Sequence, residues 1–64
     1  MKVEVNKTQK IINLIFSSNE EKIYNEIVDL LYTELYPIDT SEEEYSQAFM
    51  LSVNEAEISF LLLK

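Results

Sequence analysis

Between residues 23 and 35 the apolar side chains recur at steps of three and four: Ile23, Tyr24, Ile27, Val28, Leu30, Leu31 and Leu35. That period lays an apolar arc along one side of a helix. Ser18 with Glu21 three residues on reads as a capping box, and Glu20 and Glu21 sit where the helix dipole favours negative charge. Pro37 disfavours helical geometry at Tyr36. The pattern predicts a helix over about 19–36.

Past Tyr45 the period changes to two. Tyr45, Gln47, Phe49, Leu51 and Val53 alternate with Ser46, Ala48, Met50 and Ser52, and after Asn54 and Glu55 the alternation resumes at Ala56, Ile58, Phe60 and Leu62. A hairpin with a two- or four-residue loop keeps both sets on one face. Without glycine the turn rests on Asn54, the non-glycine residue best suited to positive φ. A helix opened by a capping box at Thr40 and Glu43, or at Ser41 and Glu44, and running through Leu51 is the competing reading, and the sustained alternation favours the strand.

The N-terminal third is more ambiguous. Lys2 to Val5 alternates as a short strand, and Ile11-Ile12-Asn13-Leu14-Ile15-Phe16 suits a buried strand or a short buried helix. Its length favours the strand, with Asn6 to Gln9 as the connecting turn. The fold expected is α+β: a small antiparallel sheet of three to four strands packed against one amphipathic helix, in ββαββ order, with βααββ as the alternative. Residues 1–64 make a single domain without repeat or linker.

The last strand presents a difficulty that bears on partners. Leu61 and Leu63 point away from Ile58, Phe60 and Leu62, and the hairpin adds Ala48 and Met50 to their side, so both faces of the sheet are partly apolar. One helix covers one face. Ala48, Met50, Leu61 and Leu63 therefore form a dimerisation or docking face, or else lie beneath the N-terminal segment.

Charge changes the picture more than composition does. The chain has 12 acidic against 5 basic residues, a net charge of −7. From Ile23 to Leu63 it carries Glu26, Asp29, Glu34, Asp39, Glu42, Glu43, Glu44, Glu55 and Glu57 and no lysine or arginine. A field of one sign repels nucleic acid and anionic membranes, and the scattered lysines make no phosphate-binding cluster. No apolar run is long enough for a signal peptide or a membrane span, so a cytoplasmic location is expected, in a host cytoplasm if the chain is of viral or phage type.

Candidate chemistry is sparse. With no histidine, cysteine, arginine or glycine, nucleophile-base pairs, zinc sites and phosphate-cradling loops lose their usual parts, and neither enzyme activity nor a cofactor is expected. Asp39, Ser41 and Glu43 match the first ligand spacings of a calcium loop, but Glu44 stands where the turn needs glycine and Met50 where the bidentate glutamate belongs. Glu42, Glu43 and Glu44 diverge as consecutive residues and read as a solvated acidic loop.

What remains is surface. Asn25, Asp29, Tyr32 and Tyr36 fall at helical spacing beside the apolar arc, and Glu34 falls within it, where reaching water is the simplest accommodation. The leading expectation is a non-enzymatic inhibitor whose carboxylates stand in for phosphates in a basic groove of a nucleic-acid-binding protein. Asp39, Glu42, Glu43 and Glu44 would be its densest cluster, Glu26 and Asp29 its extension along the helix, and Tyr32 and Tyr36 its anchors. The alternative is a small structural or regulatory subunit that uses the apolar sheet face. A homodimer is expected under either, because an unstapled core of this size gains from association.

Overall fold

The computed structural model describes residues 1–40 and 44–64. The chain opens with a hairpin of β1 (Lys2–Asn6) and β2 (Ile11–Phe16). A 3-10 turn at Ser18–Glu20 leads into α1 (Glu21–Leu31), which ends in a second 3-10 turn at Tyr32–Glu34. Then come the two-residue β3 (Tyr36–Pro37), β4 (Tyr45–Val53) and β5 (Ala56–Leu63). The architecture is α+β, one helix on one sheet.

The sheet has five strands in the order β1-β2-β5-β4-β3. It is mixed rather than antiparallel: β5 runs parallel to β2, with Leu14 opposite Phe60 and Phe16 opposite Leu62, while the other three pairings are antiparallel. The expected ββαββ order is therefore modified by a short extra strand after the helix, and the strand count rises to five. The reason is visible in β5 itself. A strand apolar on both sides is best placed at the centre of a sheet, and β5 lies between β2 and β4. The helix carries the chain across the sheet to the far edge, from which β4 and β5 pair back toward β2.

Local rules explain the element ends. Ser17 is the N-cap, extended at φ −77° and ψ 164°, and its backbone N–H donates to the Glu20 carboxylate at 3.0 Å. The capping pair thus falls at Ser17 and Glu20, one residue earlier than Ser18 and Glu21, because the chain leaves β2 directly into the turn. The helix is also shorter than its apolar period. Leu35 is already extended, and Pro37 disfavours the helical region at Tyr36, which belongs to a strand.

The β4–β5 turn has two residues, Asn54 and Glu55, and Asn54 adopts the positive φ of 56° expected of it. Lys10, at the end of the first hairpin turn, is the other positive-φ residue. No helix among the described residues is long and apolar enough to cross a membrane.

The core lies between α1 and the sheet. Phe16, Tyr24, Val28, Phe60 and Leu62 are buried there, flanked by Leu14, Ile27, Leu31, Leu35, Phe49, Leu51 and Ile58. Tyr24 is its keystone, with no exposed surface. Its ring meets Phe16 edge-on, centroids 5.3 Å apart, and its hydroxyl donates to the Phe60 carbonyl at 2.8 Å. Burial pushes the Tyr24 phenol up to about 12. Ile23 and Leu30, both in the apolar arc of the sequence, lie outside this contact and are 54% and 84% exposed. A helix resting on a sheet buries one narrow line of side chains, and here that line is Tyr24, Ile27, Val28 and Leu31.

Candidate interaction surfaces

The acidic surface begins on α1. Glu21, Glu26 and Asp29 are exposed, and Glu34 follows in the second 3-10 turn, also exposed. Glu34 therefore reaches water, on a turn that the sheet does not cover. Glu26 and Asp29 are three residues apart on the helix and so lie side by side. Tyr32, three further on, is 70% exposed beside them. Neither Tyr32 nor Tyr36 is packed away, but the helical stripe that joined them is broken. Tyr36 pairs with Met50 in the sheet and shares its face.

Asp39 and Glu44 are exposed at the two ends of the β3–β4 connection. Lys64 continues the β4–β5 ladder by donating its backbone N–H to the Glu44 carbonyl at 3.1 Å. Glu42 and Glu43, the middle of the predicted acidic cluster, lie outside the described residues, as does Ser41 of the calcium-loop spacing. The helix expected as an alternative from Thr40 through Leu51 does not form, since Tyr45 to Val53 is a strand. Among the described residues no three carboxylates converge on a point that would hold a metal ion.

One lysine, Lys22, is exposed in the first turn of α1, one turn from Glu26; Lys2, Lys7, Lys10 and Lys64 lie outside the helix. Lys2 pairs with Glu4 at 3.5 Å on β1, and Lys10 pairs with Glu55 at 2.7 Å, bringing the two hairpin turns together. Glu20 is held by several donors at once. The Ser17 N–H, the N-terminal ammonium at 3.0 Å and the Ser17 hydroxyl together hold it down at about 2. That is a structural role, fixing the start of the helix to the start of β1.

The second surface is the sheet face away from the helix. Its rows follow from the register: Ile15, Leu61, Ala48 and Ile38 in one, Asn13, Ser59, Met50 and Tyr36 in the next. The four residues singled out by alternation, Ala48, Met50, Leu61 and Leu63, lie together on it. No described helix or strand packs over this face, although small Ala48 is buried between its larger row neighbours Leu61 and Ile38.

Ile15, Ile38 and Tyr45 belong there too and were not anticipated. Ile15 was legible in the double-sided apolar run of β2. Tyr45 was not: a bulge between Tyr45 and Gln47 sets it opposite Leu63 and off the core face that simple alternation gives it. A shallow depression of about 570 Å³ lies at the end of the helix, lined by Thr33, Glu34, Tyr36 and Leu51 to Asn54. It is open to solvent and contains one carboxylate, so it offers no convergent set of polar groups. Comparison with family models, with curated proteins and with solved structures finds no match.

Proposed function

We propose that this chain is a non-enzymatic, acidic protein-binding protein that inhibits a nucleic-acid-binding partner by occupying its basic groove. It would act in the cytoplasm, in the manner of viral or phage inhibitors. The observation that supports this reading most is the outer surface of α1. Asp29 and Glu34 are exposed there on a stretch without lysine, Glu26 is exposed one helical turn from Lys22, and Tyr32 stands exposed beside them. Three carboxylates against one neighbouring lysine leave a net negative field for a cationic partner, and an amphipathic tyrosine supplies the apolar contact that charge alone does not. In the sequence, Asp39 and the acidic run Glu42-Glu43-Glu44 add further negative charge in the β3–β4 connection, with Tyr36 as a further anchor at the sheet edge.

Binding of this kind is fast, steered by charge and weakened by salt. The test is competition on immobilised duplex DNA loaded at low salt with basic proteins of a bacterial lysate. The wild-type chain is expected to elute specific proteins by displacement. The Glu26→Gln, Asp29→Asn, Glu34→Gln variant is expected to lose most of that capacity while remaining folded. Equal elution by the two, or none by either, would refute the reading.

A further inference from the structure

We propose that the sheet face away from α1 binds a second copy of this chain, giving a two-fold dimer in which two sheets pack face to face. This surface shares with the acidic one only Tyr36, at the sheet edge, so the reading above, which rests on the helix carboxylates and Tyr32, stands or falls independently of it.

Three observations choose the occupant. First, the face carries a contiguous apolar patch, where Ile15, Leu61, Leu63, Met50 and Ile38 adjoin, and becomes more polar toward the hairpin turns, through Asn13 and Ser59 and then a row in which Asn6, Glu57 and Ser52 accompany Ile11. An apolar patch bordered by polar residues is the anatomy of a protein interface.

Second, the face is nearly neutral in a chain of net charge −7. On β1 it carries Lys2 and Glu4, already paired, and Glu57 is the further charge within its rows. An acidic protein meets its own copy most easily through a surface that lacks the charge. A basic partner would gain little there.

Third, the need for cover is permanent. A small unstapled core leaves the reverse of its sheet wet until something binds, and a second copy is the partner present whenever the chain is made.

The size of the face fits. Five strands about 4.8 Å apart and about six residues long span roughly 24 by 20 Å. Two copies would therefore bury on the order of 1,000 Å², near the lower limit for a specific interface. The dimer is thus expected to be reversible and concentration-dependent, and to need most of the face. Sheets packed this way sit about 10 Å apart with strands aligned or orthogonal, which leaves both helices on the outside.

Analytical ultracentrifugation of the full chain over a wide concentration range tests the proposal. The wild-type chain should pass from monomer to dimer, and dissociation should weaken a few-fold from low to moderate salt as residual repulsion is screened. Leu61→Lys, in the middle of the face, should raise the dissociation constant on the order of thirtyfold or more.

A second measurement does not depend on that variant folding. The chain has no cysteine, so Ser59→Cys places one thiol at the centre of the face and Asp29→Cys places one on the outer helix surface. A short bismaleimide should link Ser59→Cys into dimers many-fold faster than Asp29→Cys. A wild-type chain that stays monomeric throughout, or equal cross-linking at the two positions, would overturn the proposal. So would a folded Leu61→Lys chain that dimerises as the wild type does.

Discussion

Tyr24→Phe isolates one interaction of the core and lets its magnitude be worked out in advance. The substitution keeps the ring, its edge-on contact with Phe16 and the filled volume, and removes only the hydroxyl that donates to the Phe60 carbonyl at 2.8 Å. That length is at the mode for an O–H···O bond, so a full hydrogen bond is lost. The net loss is about 1 kcal/mol where the carbonyl keeps a ladder partner, rising toward about 3 kcal/mol if it is left dry. For a domain this small, about 1 kcal/mol lowers the melting temperature by about 4–8 °C. Tyr24→Leu should cost about 0.5–1.5 kcal/mol more, because the aromatic pair goes as well.

The assay is thermal and urea unfolding followed by circular dichroism, at one fixed protein concentration because self-association would add to apparent stability. The pH dependence supplies a second check. The Tyr24 phenol is raised from 10.0 to about 12 by burial, so its contribution is complete below pH 10 and is lost as pH rises through about 12. The advantage of the wild type over Tyr24→Phe should therefore shrink across that window. Equal melting temperatures for wild type and Tyr24→Phe, or a gap that widens above pH 10, would refute the placement of this hydroxyl.

Two further perturbations test the ends of elements. The Glu20 carboxyl is lowered from 4.5 to about 2 by the Ser17 N–H and the N-terminal ammonium, so its stabilisation is complete above pH 4.5 and lost as pH falls through about 2. Unfolding curves should show Glu20→Gln less stable than wild type at neutral pH, the gap closing between pH 4.5 and 2. A gap that persists at pH 2 would place the effect elsewhere. Lys10 holds a positive φ of 57° that glycine adopts freely. Its exposed ion pair with Glu55 contributes at most about 1 kcal/mol, so Lys10→Gly should leave stability unchanged or raise it by up to about 1 kcal/mol in urea unfolding. A clear loss would mean that the ion pair, and not the backbone, governs this turn.

The elements that were legible in the chain are those whose period is long and unbroken. The hairpin from Tyr45 to Leu63 and the helix around Tyr24, Val28 and Leu31 belong here, since burial of one face dictates each repeat directly. The partition of Gln47 to Leu63 between the two sheet faces followed as well, because parity along an unbulged strand is strict. What the chain did not disclose depends on contacts between distant elements. The parallel pairing of β2 with β5 is a tertiary choice, and only the double-sided apolarity of Ile58 to Leu63 hinted at it. Leu30 and Ile23 satisfied the helical period yet miss the sheet, since a wheel does not show how wide the contact is. Tyr36 fitted a helical stripe, but Pro37 had already fixed its extended backbone. The bulge that turns Tyr45 to the opposite face has no marker in composition.

The two proposed surfaces constrain each other through the sheet that separates them. In a face-to-face dimer each acidic helix lies beyond its own sheet, so two sheets about 10 Å apart and a helix layer about 10 Å thick on either side hold the helices roughly 30 Å from one another. At 0.15 M ionic strength the screening length is about 8 Å, so the repulsion between them is largely extinguished; near 0.01 M it extends to about 30 Å and opposes association. Salt should therefore act with opposite sign on the two proposed surfaces, strengthening the proposed contact through Leu61 and Met50 and weakening the proposed capture through Glu26 and Asp29. The dimer would also present two copies of the acidic helix on opposite sides, so that one molecule could engage two basic partners but could not place both helices in a single groove.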